Sequence, residues 1–439
     1  METNTVTKLI LIAKKAMEDK QAKFSSLMYL LNEDYLHECF KMLKRGKAAG
    51  VDGRKLESYT DEEMKQAIAD TVTKLKARKF KPQPVRRVYI EKGNGKMRPL
   101  GIPTVVDKIV QLAMTRILSA IYEQDFLDTS YGYRLKRDAH EALKEINHMI
   151  MGQKVNYILD ADIVGFFDNL NHQWLMRCLS ERISDPYFKR LIWKFLKAGV
   201  LEEGKFLSTK QGSPQGGIIS PVLANIYLHF VLDFYFDRRI KPILKGYSRL
   251  IRYADDFLIG IQHQSEAVNI QRELVQRLKK FGLTLSKEKT AIKEFGRFAL
   301  ENKQRKDGRK PETFDFLGFT HYCSTTRDGR FQLRVKTNKK RVNRAITAIG
   351  AFLKQNRTKQ MKEIWDTLSL KLTGHYNYYG VSGNFEEIKR FYESTKALVF
   401  KWLNRRSWKK SFDWEDFEEY LNHNPLPKPK LTYAIYNTW

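Results

Sequence analysis

The chain has 439 residues, 42% of them hydrophobic, and a formal net charge of +29 from 79 Lys plus Arg against 50 Asp plus Glu. That length predicts roughly two to four domains, the apolar content excludes wholesale disorder, and the positive excess calls for a polyanionic partner, nucleic acid ahead of an anionic membrane surface. The three cysteines, Cys39, Cys178 and Cys323, form no C-x-x-C pair, which excludes a zinc ribbon or a disulfide framework and suits a reducing cytoplasm.

From the N-terminus, residues 1–45 read as helix, because FSSLMYLL and YLHECFKMLK space their apolar residues near 3.6. LILIA, residues 9–13, is too short for a signal peptide or a membrane span, so a soluble, cytoplasmic protein is expected. The Gly-rich GKAAGVDG, 46–53, ends this segment, and a helix follows over 61–79. VRRVYIEKGNGKMRPLGIP, 85–103, predicts a β-hairpin with GNG at its tip. Helical pattern covers 105–150 with a break at DTSYGYR, and VNYILDADI, 155–163, predicts a strand. A helix starts near 171, residues 206–217 are turn-rich, and another helix starts near 220. IRYADDFLIG, 251–260, predicts a second hairpin with ADD as its turn, followed by helix at 265–281. ENKQRKDGRKPE, 301–312, is polar and basic and reads as an exposed loop or linker. FDFLGFTHYC, 314–323, and FQLRVK, 331–336, read as strands, and 338–422 is helical and strongly basic, with a domain boundary near 335.

The chemistry is carried by carboxylates in strand-like settings. Asp160 and Asp162 are two apart and share one strand face. Asp255 and Asp256 are adjacent at a hairpin tip between apolar residues. Such like charges drive one another toward protonation unless a cation offsets them. Clustered oxygen ligands suit Mg²⁺, and two such ions promote in-line phosphoryl displacement. A lone Asp-Asp pair is more often a solvated turn; a second carboxylate strand and a net charge of +29 argue for the metal. Lys92 and Arg98 flank the GNG tip and suit a triphosphate, the alternative being a solvated hairpin. The glycines of QGSPQGG, 211–217, allow close backbone approach to a nucleotide or template. Basic runs in 338–422 are interleaved with Trp365, Tyr376, Tyr378, Tyr379, Trp402 and Trp408. That mixture suits RNA backbone contact with base stacking, or a charged bundle whose aromatics form its core.

GKAAGVDG, MRPLGIPTVVDKIVQ, SYGYRLKRDAHEAL, DADIVGFFDNLNH, QGSPQGGIISPVLANIYL, IRYADDFLIG, FGLTLSKEKT and FDFLGF occur in that order, followed by LTGHYNYYGVSGN. Nearly the whole chain thereby resembles the bacterial group II intron-encoded reverse transcriptases, or maturases. The resemblance implies an α+β right-hand polymerase: an N-terminal extension over 1–60, fingers and palm with an antiparallel palm sheet over 61–335, a helical thumb over 336–425 and a tail over 426–439. It implies metal-binding carboxylates at Asp162, Asp255 and Asp256, with Ile163 beside them. Asp162 is preferred to Asp160 because the family's aspartate lies five residues before the aromatic that checks the sugar, here Phe167. The incoming nucleotide would meet Lys92, Arg98, Ile163, Phe167 and Gln215. Primer and template would meet Phe316, Leu317, Gly318 and Lys289, with Lys287 the alternative lysine.

The implied activity is RNA-directed DNA polymerisation with two Mg²⁺, or Mn²⁺, in the bacterial cytoplasm. The implied partners are an RNA template with a DNA primer, group II intron RNA and target DNA, with no membrane; monomer and dimer stay open. Longer family members end in an HNH-type endonuclease with paired cysteines. None follows PLPKPKLTYAIY here, so the expected primer comes from elsewhere. The alternatives are an intron-independent reverse transcriptase in defence or repair, and a splicing-only RNA-binding protein.

Overall fold

The computed structural model describes residues 5–91, 95, 97–208, 211–212, 216–307, 310–406 and 412–436. Lys92, Gln215 and Trp408 lie outside them. Residues 5–45 form two α-helices rather than one, α1 (Thr5–Glu18) and α2 (Glu33–Met42), joined by an irregular stretch. That stretch is held because the buried Asp185 carboxylate accepts the backbone N–H groups of Leu27 and Met28 at 2.7 and 3.1 Å. α3 (Asp61–Lys76) opens on a capping box between Thr60 and Glu63, which satisfies two backbone donors reciprocally.

The expected hairpin is present as β1 (Val85–Glu91) and β2 (Met97–Ile102), followed by α4 (Val105–Tyr122) and α5 (Ala139–Gly152). Next come β3 (Tyr157–Asp162), the single turn α6 (Phe166–Asn169), α7 (His172–Ser180) and α8 (Pro186–Leu196). The start of the turn-rich region is instead a short hairpin, β4 (Val200–Glu202) with β5 (Lys205–Leu207), that extends the first sheet in the order β2-β1-β4-β5. α9 (Ser220–Leu228) continues through wide π-helical turns at His229–Asp233 and Phe236–Ile240.

β6 (Ser248–Tyr253) and β7 (Asp256–Ile261) form the second hairpin. Its turn is Ala254–Asp255 alone, because Tyr253 pairs with Asp256, which therefore opens β7. α10 (Gln264–Lys280) and β8 (Ala291–Glu294) complete a four-stranded antiparallel sheet in the order β6-β7-β3-β8. The expected loop at 301–312 is overturned: α11 (Ala299–Asp307) occupies most of it. Its Glu, Lys, Gln and Arg residues are good intrinsic helix formers, and the missing apolar periodicity hid the helix.

FDFLGFTHYC is not one strand. β9 (Phe314–Phe316) and β10 (Phe319–Thr325) turn sharply at Leu317–Gly318, and β11 (Phe331–Thr337) completes a three-stranded sheet. Four helices follow: α12 (Lys339–Asn356), α13 (Met361–Tyr379), α14 (Phe385–Leu403) and α15 (Trp414–His423). They enclose a core of their own, into which Tyr376 is buried and against which Trp365 and Trp402 pack. For these three rings the core reading of the basic, aromatic segment holds. No described helix is long and apolar enough to cross a membrane.

The β6-β7-β3-β8 sheet is packed on both faces. Leu159 and Ala161 of β3 and Phe257 and Ile259 of β7 join the largest core, with the N-terminal helices and α7–α10. Ile158 and Leu258 join a second core with α5 and the β9–β11 sheet. By strand alternation Asp160, Asp162 and Asp256 extend that second face.

Two histidines sit deep in these layers. His229 is buried beside Phe126 and Phe230, and His321 lies flat on Phe314 at 4.5 Å between ring centroids. Burial pushes both imidazoles from 6.5 down to about 4. As pH falls below 6.5 the unfolded chain takes up these protons first. Stability is therefore lost across pH 6.5 to 4, each histidine contributing up to about 1.4 kcal/mol per pH unit. Carboxylates with raised pKa, Asp107 among them, act in the opposite direction over the same window, so the loss is read by difference: relative to His321→Leu, the wild type is expected to lose thermal midpoint as pH falls from 6.5 to 4.

Candidate active site

The β3–β7 ladder sets the site. Six residue pairs run from Tyr157 opposite Ile261 to Asp162 opposite Asp256. The last pair puts two carboxylates face to face at the sheet end, and Asp255 precedes Asp256 in the turn. Further along that face Ile158 and Leu258 are buried in the second core, so the carboxylates emerge where the packing stops. Asp162 and Asp256 line a cleft of about 890 Å³, and Asp255 is not among its lining residues. Its walls come from four places: Ile90 and Arg98 of the first hairpin, Lys289 and Lys293 near β8, the Phe316–Gly318 turn, and Lys340, Arg341 and Arg344 of α12.

Asp162 accepts a hydrogen bond from Lys289 Nζ at 2.8 Å. Lys289 also lines the cleft and Lys287 does not, so of the two lysines Lys289 is the one at the carboxylates. Asp160 also borders the cleft, but Lys293 Nζ holds it at 2.8 Å. Ile163 is buried, and its backbone bridges to Leu285. Of the Phe-Phe pair, Phe166 is fully buried, whereas Phe167 is partly exposed and is not among the residues lining the cleft. Phe167 O and Asp168 O instead crowd Gly212, where an added Cβ would lie 2.9 and 2.8 Å from them.

In the Phe316–Gly318 turn both central residues are left-handed, Leu317 at φ +51° and Gly318 at φ +82°. The turn is held from α13: Tyr378 Oη donates to Leu317 O at 2.9 Å, and Tyr379 Oη would lie 3.0 Å from a Cβ at Gly318.

The family model described as "Reverse transcriptase (RNA-dependent DNA polymerase)" matches residues 90–321, more than half of the chain. The group II intron-encoded protein LtrA of Lactococcus lactis subsp. cremoris is 31% identical over 89% of this chain and 77% of its own length. This chain belongs to the group II intron reverse transcriptase/maturase family. Protein YkfC of Escherichia coli (strain K12) is 32% identical over 63% of this chain and 82% of its own length. The putative COX1/OXI3 intron 1 protein of Saccharomyces cerevisiae is 29% identical over 63% of this chain and 38% of its own length. The matched span contains all three carboxylates, Lys289 and the 316–318 turn.

The reverse transcriptase carries its charge conflict at this point. Desolvation by the surrounding atoms, then the neighbouring Asp255 and Asp162, push the Asp256 carboxyl up to about 7 against the pull of Lys289, although the residue stays exposed on its cleft side. Burial and Asp162 likewise raise Asp255, while Arg98 and Lys289 oppose the rise. Reverse transcriptases in general use divalent ions, and this donor set suits one: hard oxygens, crowded enough to favour a cation, at an open cleft. Among the described residues no group of three or more acidic, imidazole or thiolate side chains is arranged to hold a metal ion, so the structure brings together the Asp162–Asp256 pair and not a completed triad. An open set fits Mg²⁺, which keeps waters and takes substrate phosphate oxygens.

Several groups at the site were not singled out from sequence. Lys293 neutralises Asp160. Asp315 accepts from Thr320 Oγ1 at 2.5 Å and Asn338 Nδ2 at 2.7 Å. The position of Lys293 in the short β8 strand, two residues past Ala291, was the one signal available.

Because Asp256 ionises against its neighbours, metal-free stability should be lost as pH rises from about 4 toward 7. With chelator present, the thermal midpoint of the wild type should drop between pH 6 and pH 8. Asp256→Asn should drop less and be the more stable protein at pH 8, and added Mg²⁺ should narrow the gap.

Proposed function

We propose that Asp162, Asp255 and Asp256 hold two Mg²⁺ ions and that this RNA-directed DNA polymerase extends a DNA primer on an RNA template in the cleft. One observation carries the reading: two carboxylates meet across the β3–β7 ladder, Asp255 precedes Asp256 in the turn, and the cleft wall from α12 carries Lys340, Arg341 and Arg344. In this reading the β6-β7-β3-β8 sheet is the palm, the β1–β2 sheet the fingers and α12–α15 the thumb. The corresponding limits are 61–335 and 336–425, with 1–60 as extension and 426–439 as tail.

The primer 3′-OH attacks the α-phosphate of a dNTP, and pyrophosphate leaves. When bound, the ions lower the cost of forming the attacking alkoxide and neutralise charge on the leaving oxygens. The chain's own residues position and screen. Arg98 faces the carboxylates from the first hairpin and meets the triphosphate, with Lys92 as its partner. Ile163 lends its backbone beside Asp162, while Phe167 and Gln215 contact the nucleotide. Lys289 releases Asp162 and remains as a nearby positive charge. The Phe316–Gly318 turn carries the primer end, and the bases of α12 line the path of its phosphates. Positioning and charge neutralisation supply most of the acceleration.

The relatives named for group II introns support a second role: binding intron RNA to assist splicing and mobility into target DNA. The basic surface of α12–α15 and the N-terminal helices suits that partner.

The test is extension of oligo(dT) on poly(rA) with dTTP and Mg²⁺. The wild type should extend, chelator should stop it, and Asp255→Ala should lower the rate by at least about 10³-fold, roughly 4 kcal/mol of barrier. The same variant should bind its intron RNA as the wild type does. A folded, RNA-binding wild type that does not extend this primer would overturn the polymerase assignment.

A further inference from the structure

An arginine lies beneath the aspartate turn where the strand pattern calls for an apolar side chain. Arg252, in β6, is completely buried, as is Asp233, the last residue of the first π-helical turn. A guanidinium has five N–H donors, and here each has an acceptor. Nε donates to Asp233 Oδ1 at 2.7 Å and Nη2 to Asp233 Oδ2 at 2.5 Å. Nη2 also donates to Ser130 Oγ at 2.7 Å. Nη1 donates to Asn225 Oδ1 at 3.0 Å and to Ala254 O at 2.9 Å.

The last contact is with the catalytic turn itself. Ala254 immediately precedes Asp255 and adopts φ +58°, a left-handed conformation that alanine avoids. Such a backbone persists only when its surroundings over-determine it. Two do so here. Arg252 holds the Ala254 carbonyl from below. Gly132 is pressed against the turn from the side, so closely that a Cβ there would lie 2.4 Å from Ala254 N. Asn225 joins the two supports, because its Nδ2 donates to Gly132 O at 2.8 Å while its Oδ1 accepts from Arg252. The π-helical turn explains how one helix supplies both Asn225 and Asp233. Its wider rotation brings residues eight apart onto the same side, which a regular helix does less well.

A buried ion pair is a poor source of stability compared with well-packed apolar residues, because desolvation offsets its attraction. What it supplies here is direction. We infer that Arg252, with Asp233 and Asn225, is a positioning unit for the reaction: it sets the angle at which Asp255 and Asp256 leave the turn, and so the geometry in which they meet metal. Arg252 does not touch substrate. Its effect passes through the Ala254 carbonyl, and the inference rests on the assignment of Asp255 and Asp256 as metal ligands.

The test replaces the charges together, Arg252→Met with Asp233→Leu, so that no unpaired ion remains. The double variant is expected to fold, with a thermal midpoint close to that of the wild type and unchanged affinity for primer–template. Its kcat should fall by about 10²-fold, the scale of a 1 Å misplacement, with the KM for dTTP little altered. Mn²⁺ binding to the substrate-free protein, followed by paramagnetic resonance, should weaken severalfold. Asn225→Ala leaves the ion pair in place and removes only the tie to Gly132. It should show the same pattern at smaller amplitude, and it decides the matter if the double variant does not fold. Variants that are folded and retain wild-type kcat and Mn²⁺ affinity would overturn the inference. An inactive wild type would instead strike at the polymerase assignment, so the two failures are distinct.

Discussion

Repulsion between carboxylates is the constraint around which this molecule is arranged. Two unit charges 4 Å apart repel by about 1 kcal/mol in water and about 4 kcal/mol at the effective dielectric of a protein surface. The β3–β7 register brings Asp162 and Asp256 together and adds Asp255 beside them. The apolar packing does not reach the sheet end where they meet. The ladder is held further along, where Leu159, Phe257, Leu258 and Ile259 are wholly buried between two cores. Each such side chain contributes about 1.5–3 kcal/mol. A few apolar rows therefore outweigh the conflict, and the strands cannot slip by one residue without turning the whole apolar set to the wrong face.

The charge conflict also explains the lysines. Lys289 sits on Asp162 and Lys293 on Asp160, both at 2.8 Å. These ammonium groups are internal counter-ions. Lys289 is mostly exposed and attached by a flexible stem, so little packing holds it at Asp162. Lys293 is mostly buried, at 18% exposure against 67% for Lys289. The two neighbouring carboxylates are thereby made unequal: Asp162 is exchangeable and Asp160 is committed to its partner.

What could be read from sequence follows from the range of the interactions involved. The hairpin at 85–103, the carboxylate strand and the basic helical end carry local signals, namely apolar period, glycine tips and charge runs. Ordered motifs extended that reading to the family. The long-range devices were silent. Arg252 looked like one basic residue in a strand, and only the fold shows that Asp233, Asn225 and Ser130 surround it. The turn inside FDFLGFTHYC was hidden because a β-branched and aromatic context favours strand, and Leu317 is not a residue expected at φ +51°. α11 was missed for the opposite reason, a helix made of good formers with little apolar face. Phe167 packs partly against the main core and its backbone carbonyl lies beside Gly212, a placement that no local signal carried.

The bond from Tyr378 to Leu317 has a mechanical consequence. α13 belongs to a helical unit with its own core, while the Leu317–Gly318 turn belongs to a sheet that shares its core with the catalytic strands. That hydroxyl is one of several ties: Phe319 and Val335 share a small core with Val381, Tyr378 and Tyr379, and Asn384 accepts from the Thr337 backbone N–H and donates to its hydroxyl. The helical unit is thus fastened to the sheet on both sides of a backbone held in a disfavoured conformation. The turn behaves as a keyed joint: the shape of the cleft rim at 316–318 is set by where α13 sits.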